Sequence, residues 1–277
     1  MIRPLRLLCF VGAELPFFQM SELLMPNLQA VSRERHAEQR WQRYSSYAFG
    51  AKDAVCPLVV QELPKAMMCM PIAFTQTDAG FALVAVQGLE PGECLFVDAS
   101  GKWLMEYTPA HYRGYPFALA STADGQRVLC VDEDSGLVGS GAGEPFFNEE
   151  GEPAQAVADV LNFLSQIAAN AQATKRICAA LQEQSLIQPW PISLQGAAGA
   201  QQVTGLFRID EAALNALPAD GLDALRSAGA LPIAYCQLLS MQHLSRLGAL
   251  AQARREAAVA AATMPVFGET FSFGGLG

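Results

Sequence analysis

The chain has 277 residues, 51% of them hydrophobic and 16% charged, which is enough apolar surface for one large core or two small ones and unlike a disordered chain. Its net charge of −9 and pI near 4.9 argue against nucleic acid and against anionic membrane surfaces, both of which require clustered Lys and Arg. In chain order, the N-terminal "MIRPLRLLCFVGAELPFFQM" carries two arginines and then only about seven apolar residues before Glu14. That is too short for a signal peptide, and residues 1–25 read as a poorly ordered extension or a miscalled start, with Met20 or Met25 as the true beginning. The basic clusters Arg33/Arg35 with Arg40/Arg43, and later Arg254/Arg255, read as solvated helix faces.

Residues 26–150 read as a β-rich half in which short apolar runs are punctuated by Gly and Pro. The longest clean run, "FALVAV", falls far short of the roughly 20 residues that span a bilayer, so no membrane span is expected. Within this half, "PKAMMCMPIAFTQTDAGFALVAVQ" (64–87) echoes "PAHYRGYPFALASTADGQRVLCVD" (109–132), with six of 24 positions identical and no gap. Each copy has a Pro that suits the first turn of a helix and a second Pro seven residues on that ends it. A strand, an Asp/Ala-Gly turn and a second strand follow, and we expect a duplicated helix-turn/β-hairpin unit.

"LFVDASGKW" and "LCVDEDSGLV" place Asp98 and Asp132 at strand ends, with Asp134 close behind. Asp before Ser-Gly is a standard turn arrangement, its carboxylate bonding backbone N–H groups two residues on. The competing readings are a metal or acid/base site, which needs Asp98 and Asp132 on adjacent strands, and a polar contact to a partner. "HYRGYPF" holds His111, Tyr112, Arg113 and Tyr115, a polar-aromatic cluster of the kind that lines binding surfaces or shields a sheet edge. "GSGAGEP" (139–145) reads as a flexible loop.

Residues 151–260 read as the helical half. From Val157 through Leu181 the apolar residues recur at three-and-four spacing, predicting an amphipathic helix of about 45 Å whose face packs on the sheet or forms a homodimer seam. "QPWPISLQGAAGAQ" reads as a loop and "VTGLFRID" as one strand. Asp210 and Asp220 are candidate N-caps, and Pro232 opens one long helix in which His243 is a packed or surface imidazole. The tail, 261–277, is Gly-rich with three phenylalanines.

No nucleophile elbow, dinucleotide fingerprint or P-loop is present in the sequence. Seven scattered cysteines without a CxxC, and three histidines, provide no metal spacing, so neither a metal nor a cofactor is expected. Their odd number and apolar settings predict reduced, buried thiols and a cytoplasmic protein.

"VSRERHAEQRW", "PLVVQELPKA", "LEPGECLFVDASGKW", "YTPAHYRGYPFAL", "LCVDEDSGLV", "EPFFNEEGEP" and "LFRIDEAALNALP" together resemble the SapC family of bacterial proteins, over roughly residues 26 to 255. That family is named for a gene associated with a paracrystalline surface layer, so the resemblance implies a role in S-layer production or at the cell surface. It brings no catalytic residues with it, and it is unrelated to the peptide-uptake permease of the same name. Seven cysteines and long helices are unlike a secreted lattice chain. We therefore expect a non-enzymatic accessory factor with a protein partner in the envelope or export machinery. The alternative is a cytoplasmic small-molecule binder or enzyme serving an envelope or nutrient-uptake gene cluster, using Asp98, His111, Arg113, Asp132 and Asp134. The expected fold is α+β: a mixed or antiparallel sheet built from the hairpin unit, packed against the helical half.

Overall fold

The computed structural model describes residues 27–122, 125–196 and 199–263. The proposed N-terminal extension, the tail from 264 onward and the tip of the second hairpin at 123–124 lie outside them. The N-terminal part holds strands β1 (Leu28–Ala30), β2 (Arg40–Trp41), β3 (Val55–Pro57), β4 (Ile72–Thr77), β5 (Gly80–Val86), β6 (Phe117–Ser121), β7 (Arg127–Asp132), β8 (Val138–Gly139) and β9 (Glu144–Pro145). Short helices α1 (Arg33–His36), α2 (Leu63–Ala66) and α3 (Ala110–Arg113) are interspersed. The remainder comprises α4 (Gln155–Glu183), β10 (Ile187–Pro189), β11 (Ile192–Gly196), β12 (Gly199–Val203), β13 (Phe207–Ile209), α5 (Glu211–Asn215), α6 (Ala219–Ala228), α7 (Leu231–Ser240) and α8 (Leu244–Thr263).

The fold is α+β, and every strand pairing among the described residues is antiparallel. The largest sheet runs β10-β13-β4-β5-β3, and a second runs β1-β7-β6. The two echoing segments are both hairpins preceded by a helical turn, but they lie in separate sheets. Their registers also differ: Ile72 faces Ala85, whereas Phe117, its counterpart, faces Val131 rather than Cys130. A tight turn closes the first hairpin from Thr77 to Gly80, while the second closes from Ser121 to Arg127, and turn length sets register.

Two apolar cores result. The larger surrounds the five-stranded sheet and includes Leu63, Met70, Ile72, Phe74, Val84, Val86, Phe96 and Leu181. The smaller gathers Trp41, Phe117, Val131, Phe146 and Val157 against the second sheet. The α4 face predicted from spacing is real and serves both: Val157, Val160 and Leu164 pack on the smaller core, and Ile177, Cys178 and Leu181 on the larger.

Several expectations change. The expected loop at 188–201 holds β11 and the start of β12, and "VTGLFRID" is broken by Gly205 at φ +83 into the last residue of β12 and the whole of β13. β13 joins β4 through Phe207 and Phe74, so the C-terminal part contributes strands to the main sheet as well as helices. "GSGAGEP" links β8 and β9, which both pair with β2. Gly143 is required there because a Cβ would sit 2.5 Å from the Trp41 carbonyl, at a φ of +144. "LFVDASGKW" is a turn closed by a single Val97–Trp103 bridge. Asp210 does cap α5, accepting from the Ala213 N–H, but Asp220 falls inside α6 behind Pro218. The long final helix is interrupted by a 3-10 turn at Met241–His243. Just before it, the Ser240 hydroxyl donates back to the Gln237 carbonyl, a bond that disturbs the helical ladder.

Candidate binding cleft

The segment "RYSSYAF" (43–49) places Tyr44, Tyr47 and Phe49 on one irregular turn before β3. It is fastened to the Asp98 turn: the Tyr47 N–H donates to the Gly101 carbonyl at 2.7 Å, and the Ser46 hydroxyl to the same oxygen at 3.4 Å. Gly101 has φ +81, and a Cβ there would meet Ser46 Oγ at 2.0 Å, so only glycine permits this approach. Asp98 holds its own turn, its Oδ1 accepting from Ser100 N–H (2.8 Å), Ser100 Oγ (2.6 Å) and Lys102 N–H (3.0 Å). These bonds, that from the Ser100 hydroxyl first, hold the Asp98 carboxyl below its usual range. Between the two turns lies an open cleft of about 440 Å3 lined by Ser45, Tyr47, Ser100, Gly101, Lys102 and Trp103.

Behind the cleft the aromatic rings form a continuous set. Tyr47 meets Trp103 at 5.5 Å, Trp103 meets Tyr112 at 5.8 Å, and Phe49 stacks on Tyr115 at 4.0 Å. Tyr44 packs edge-on against Tyr47 and Phe49. Desolvation raises the Tyr44 phenol; the hydrogen bond to Tyr47 adds to this, and the nearby Arg113 and Arg43 charges oppose it.

Two buried carboxylates anchor this wall from within. Glu62 accepts from the Val59 N–H (3.0 Å), the Ala110 N–H and the Tyr107 hydroxyl (2.8 Å), and Arg113 stands 4.0 Å away. Tyr107 is raised by desolvation and then by the Glu62 charge. Tyr112 Oη lies 3.0 Å from Asp53 Oδ2 and 3.0 Å from Gln87 Oε1. A phenol has one proton, which belongs to the carboxylate; the Gln87 amide turned end for end then donates to Tyr112 and to the Cys94 sulfur. That choice leaves a carbonyl rather than an N–H without a partner, the cheaper outcome in a buried site. Burial pushes the Cys94 thiol up to about 12 and Cys56 well above its usual value, so these are inert thiols rather than nucleophiles.

The sequence candidates thus divide. Tyr112, Arg113 and Tyr115 join the aromatic wall, whereas Asp98 holds the separate turn that carries Ser100, Gly101 and Lys102. His111 flanks Tyr112, and burial draws its imidazole down to about 4. Asp132 and Asp134 sit elsewhere, at the end of β7, where Asp132 pairs with Leu28 of β1 rather than with any strand bearing Asp98. Asp132 accepts from the Asp134 N–H, and burial raises its carboxyl. Glu133 beside it takes Arg35 (Nη2–Oε2, 2.7 Å), and the buried His36 Nε2 approaches it at 3.2 Å without hydrogen-bond alignment. No group of three or more His, Cys, Asp or Glu suited to a metal occurs among the described residues. His243 is packed, its Nε2 2.9 Å from the Met67 carbonyl. Arg254 is no solvated face, since it donates to the carbonyls of Cys94 (2.8 Å) and Val97 (2.7 Å).

Sequence reading missed Tyr44, Tyr47, Phe49, Glu62 and Asp53. Three aromatics within six residues was the available signal for the first group. The acids look like ordinary surface residues until partners 45 to 59 positions away fold over them.

Among described helices none is long and apolar enough to cross a membrane. A family model, SapC, matches residues 31–247. No curated protein and no solved structure matches the chain.

Proposed function

The chain belongs to the SapC family, and from that premise we propose that it is a non-catalytic accessory factor of surface-layer or cell-envelope processes, acting from the cytoplasm by binding an envelope component. The observation that carries this reading is the division of labour around the cleft. The carboxylates near it are committed: Asp98 to its turn, and Glu62 to two backbone N–H groups and Tyr107. The cleft lining contains no carboxylate, imidazole or thiol, whereas half-buried Tyr47 stays accessible there. General acid–base work needs a titratable pair facing one reacting atom, and binding does not.

Fractionation of the native host, with a protease applied to intact cells, tests the proposal. The expected result is a chain that sediments with the envelope and is degraded only after lysis. A chain wholly in the supernatant, or one digested from outside, overturns it. A small-molecule binder remains the second reading, favoured by a cleft volume within the roughly 300–1,000 Å3 range of ligand pockets. Under that reading a metabolite raises the melting temperature of the purified chain in proportion to the logarithm of its concentration.

A further inference from the structure

We propose that the outward face of α7 is the contact surface for a second copy of this chain, in a two-fold dimer. The inference goes beyond the envelope reading and stands or falls separately from it.

α7 turns Ile233, Ala234, Gln237 and Ser240 into the protein, where Gln237 and Ser240 hold the backbone of Ile72. Its opposite side carries Pro232, Tyr235 and Leu239 at three-and-four spacing, with Tyr235 48% and Leu239 56% exposed. Met68, 69% exposed, follows Met67, whose carbonyl lies 2.9 Å from Nε2 of His243 just past the end of α7. Large apolar side chains left in water together, on one helix and the turn fastened to it, mark a contact surface.

Charge decides what fits there. No charged residue occurs between Arg226 and Arg246, or between Lys65 and Asp78. The neighbouring helices differ: α6 meets solvent with Asp223 and Arg226, and α8 with Arg246 and Arg255. Each copy has a net charge of −9, so two copies repel over most of their surfaces, and an uncharged face is where that repulsion is smallest. A partner recognised by charge finds nothing on this face to hold, whereas an identical face matches it.

The helix geometry suits the same occupant. A two-fold axis passing between Tyr235 and Leu239 sets each Tyr235 against the partner's Leu239, the reciprocal arrangement that an isologous interface requires. Residues four apart form the ridges through which helices commonly pack. α4, the other seam that spacing allowed, spends Val157, Leu164, Ile177 and Leu181 on the two cores.

Sedimentation velocity of the full chain over a wide range of concentration tests the proposal. The expected result is a reversible shift from the 29.7 kDa chain to twice that mass. Leu239→Glu sets like charges across the axis and should weaken self-association about thirtyfold, the scale of one lost anchor. Tyr235→Ala should weaken it without adding charge, and Leu161→Glu, on the exposed side of α4, should leave it unchanged. Melting temperatures confirm that each variant is folded. Mixing Leu239→Glu with Leu239→Lys should restore a dimer at concentrations where neither associates alone. A chain that stays monomeric at every concentration overturns the proposal, as does a dimer that survives Leu239→Glu or is lost in Leu161→Glu. Loss of envelope retention in Leu239→Glu without any dimer of the unaltered chain also overturns it, by assigning the face to another partner. A dimer formed by a chain absent from the envelope pellet supports this inference and overturns only the earlier reading.

Discussion

The two hairpins β4–β5 and β6–β7 share a sequence pattern and differ in environment. β4 is buried from Ile72 through Thr75, with β13 on one side, β5 on the other and α7 against it. β6 is buried only at Phe117 and forms the edge of its sheet. The difference teaches that a hairpin's burial is decided by its neighbours and hardly at all by its own residues. β4 acquired neighbours from 130 to 170 positions downstream. Gln237 of α7 donates to the Ile72 carbonyl and accepts from the Ile209 N–H, while the Ser240 hydroxyl accepts from the Ile72 N–H.

The comparison is broken most strongly at Phe74. Phe74→Ala should cost about 3–5 kcal/mol of unfolding free energy, whereas Leu119→Ala, at a half-exposed edge position, should cost less than about 1 kcal/mol. Denaturant melts of the two variants check this, and equal losses would show that the two hairpins are buried alike in solution. Next comes Gln237→Leu. It leaves the Ile72 carbonyl and Ile209 N–H without these side-chain partners, at about 1–3 kcal/mol for each buried group.

A smaller effect separates the hairpins by pH. Burial lowers the pKa of His36, which lies beside β7, so below about 6.5 the unfolded chain binds a proton that the folded chain refuses. The stability this provides is complete above 6.5 and declines as pH falls. Glu133, lowered by its hydrogen bond to Arg35, adds a second loss at lower pH, below its ordinary 4.5. Asp132, raised by burial, acts in the opposite sense there, because its protonated form favours the fold. Hydrogen exchange, corrected for intrinsic rates, should therefore show β6–β7 amides loosening between pH 7 and 5 while β4 amides hold. His36→Gln should flatten that difference. The slightest effect concerns thiols. Cys236 is the least buried of the described cysteines and should react first with an aqueous thiol reagent, leaving Cys56, Cys94 and Cys178 silent until denaturation.

Punctuation and period were what the sequence made legible. Pro64, Pro71, Pro109 and Pro116 bracket the helical turns, and the three-and-four spacing from Val157 to Leu181 announces α4. The β11–β12 hairpin escaped because its residues, Gly and Ala around polar Gln, carry no apolar alternation. The break at Met241–His243 escaped because its cause, Ser240 bonded to both Ile72 and Gln237, is tertiary. At the cleft, "HYRGYPF" was visible by composition, but its other wall at 43–49 joins through Gly101 to a turn over 50 positions away, and no local pattern encodes that closure.

The long helix α4 has a consequence for how this chain can change over evolutionary time. One inserted residue would turn everything after it by about 100° and advance it 1.5 Å. Placed between Leu164 and Thr174, such an insertion would keep Val157 and Leu164 in their core while swinging Ile177, Cys178 and Leu181 out of theirs. Two added turns would restore the phase yet separate the two sheets by about 10 Å. Length in this stretch is therefore locked, so relatives should vary there by substitution and place their insertions and deletions in the connecting turns.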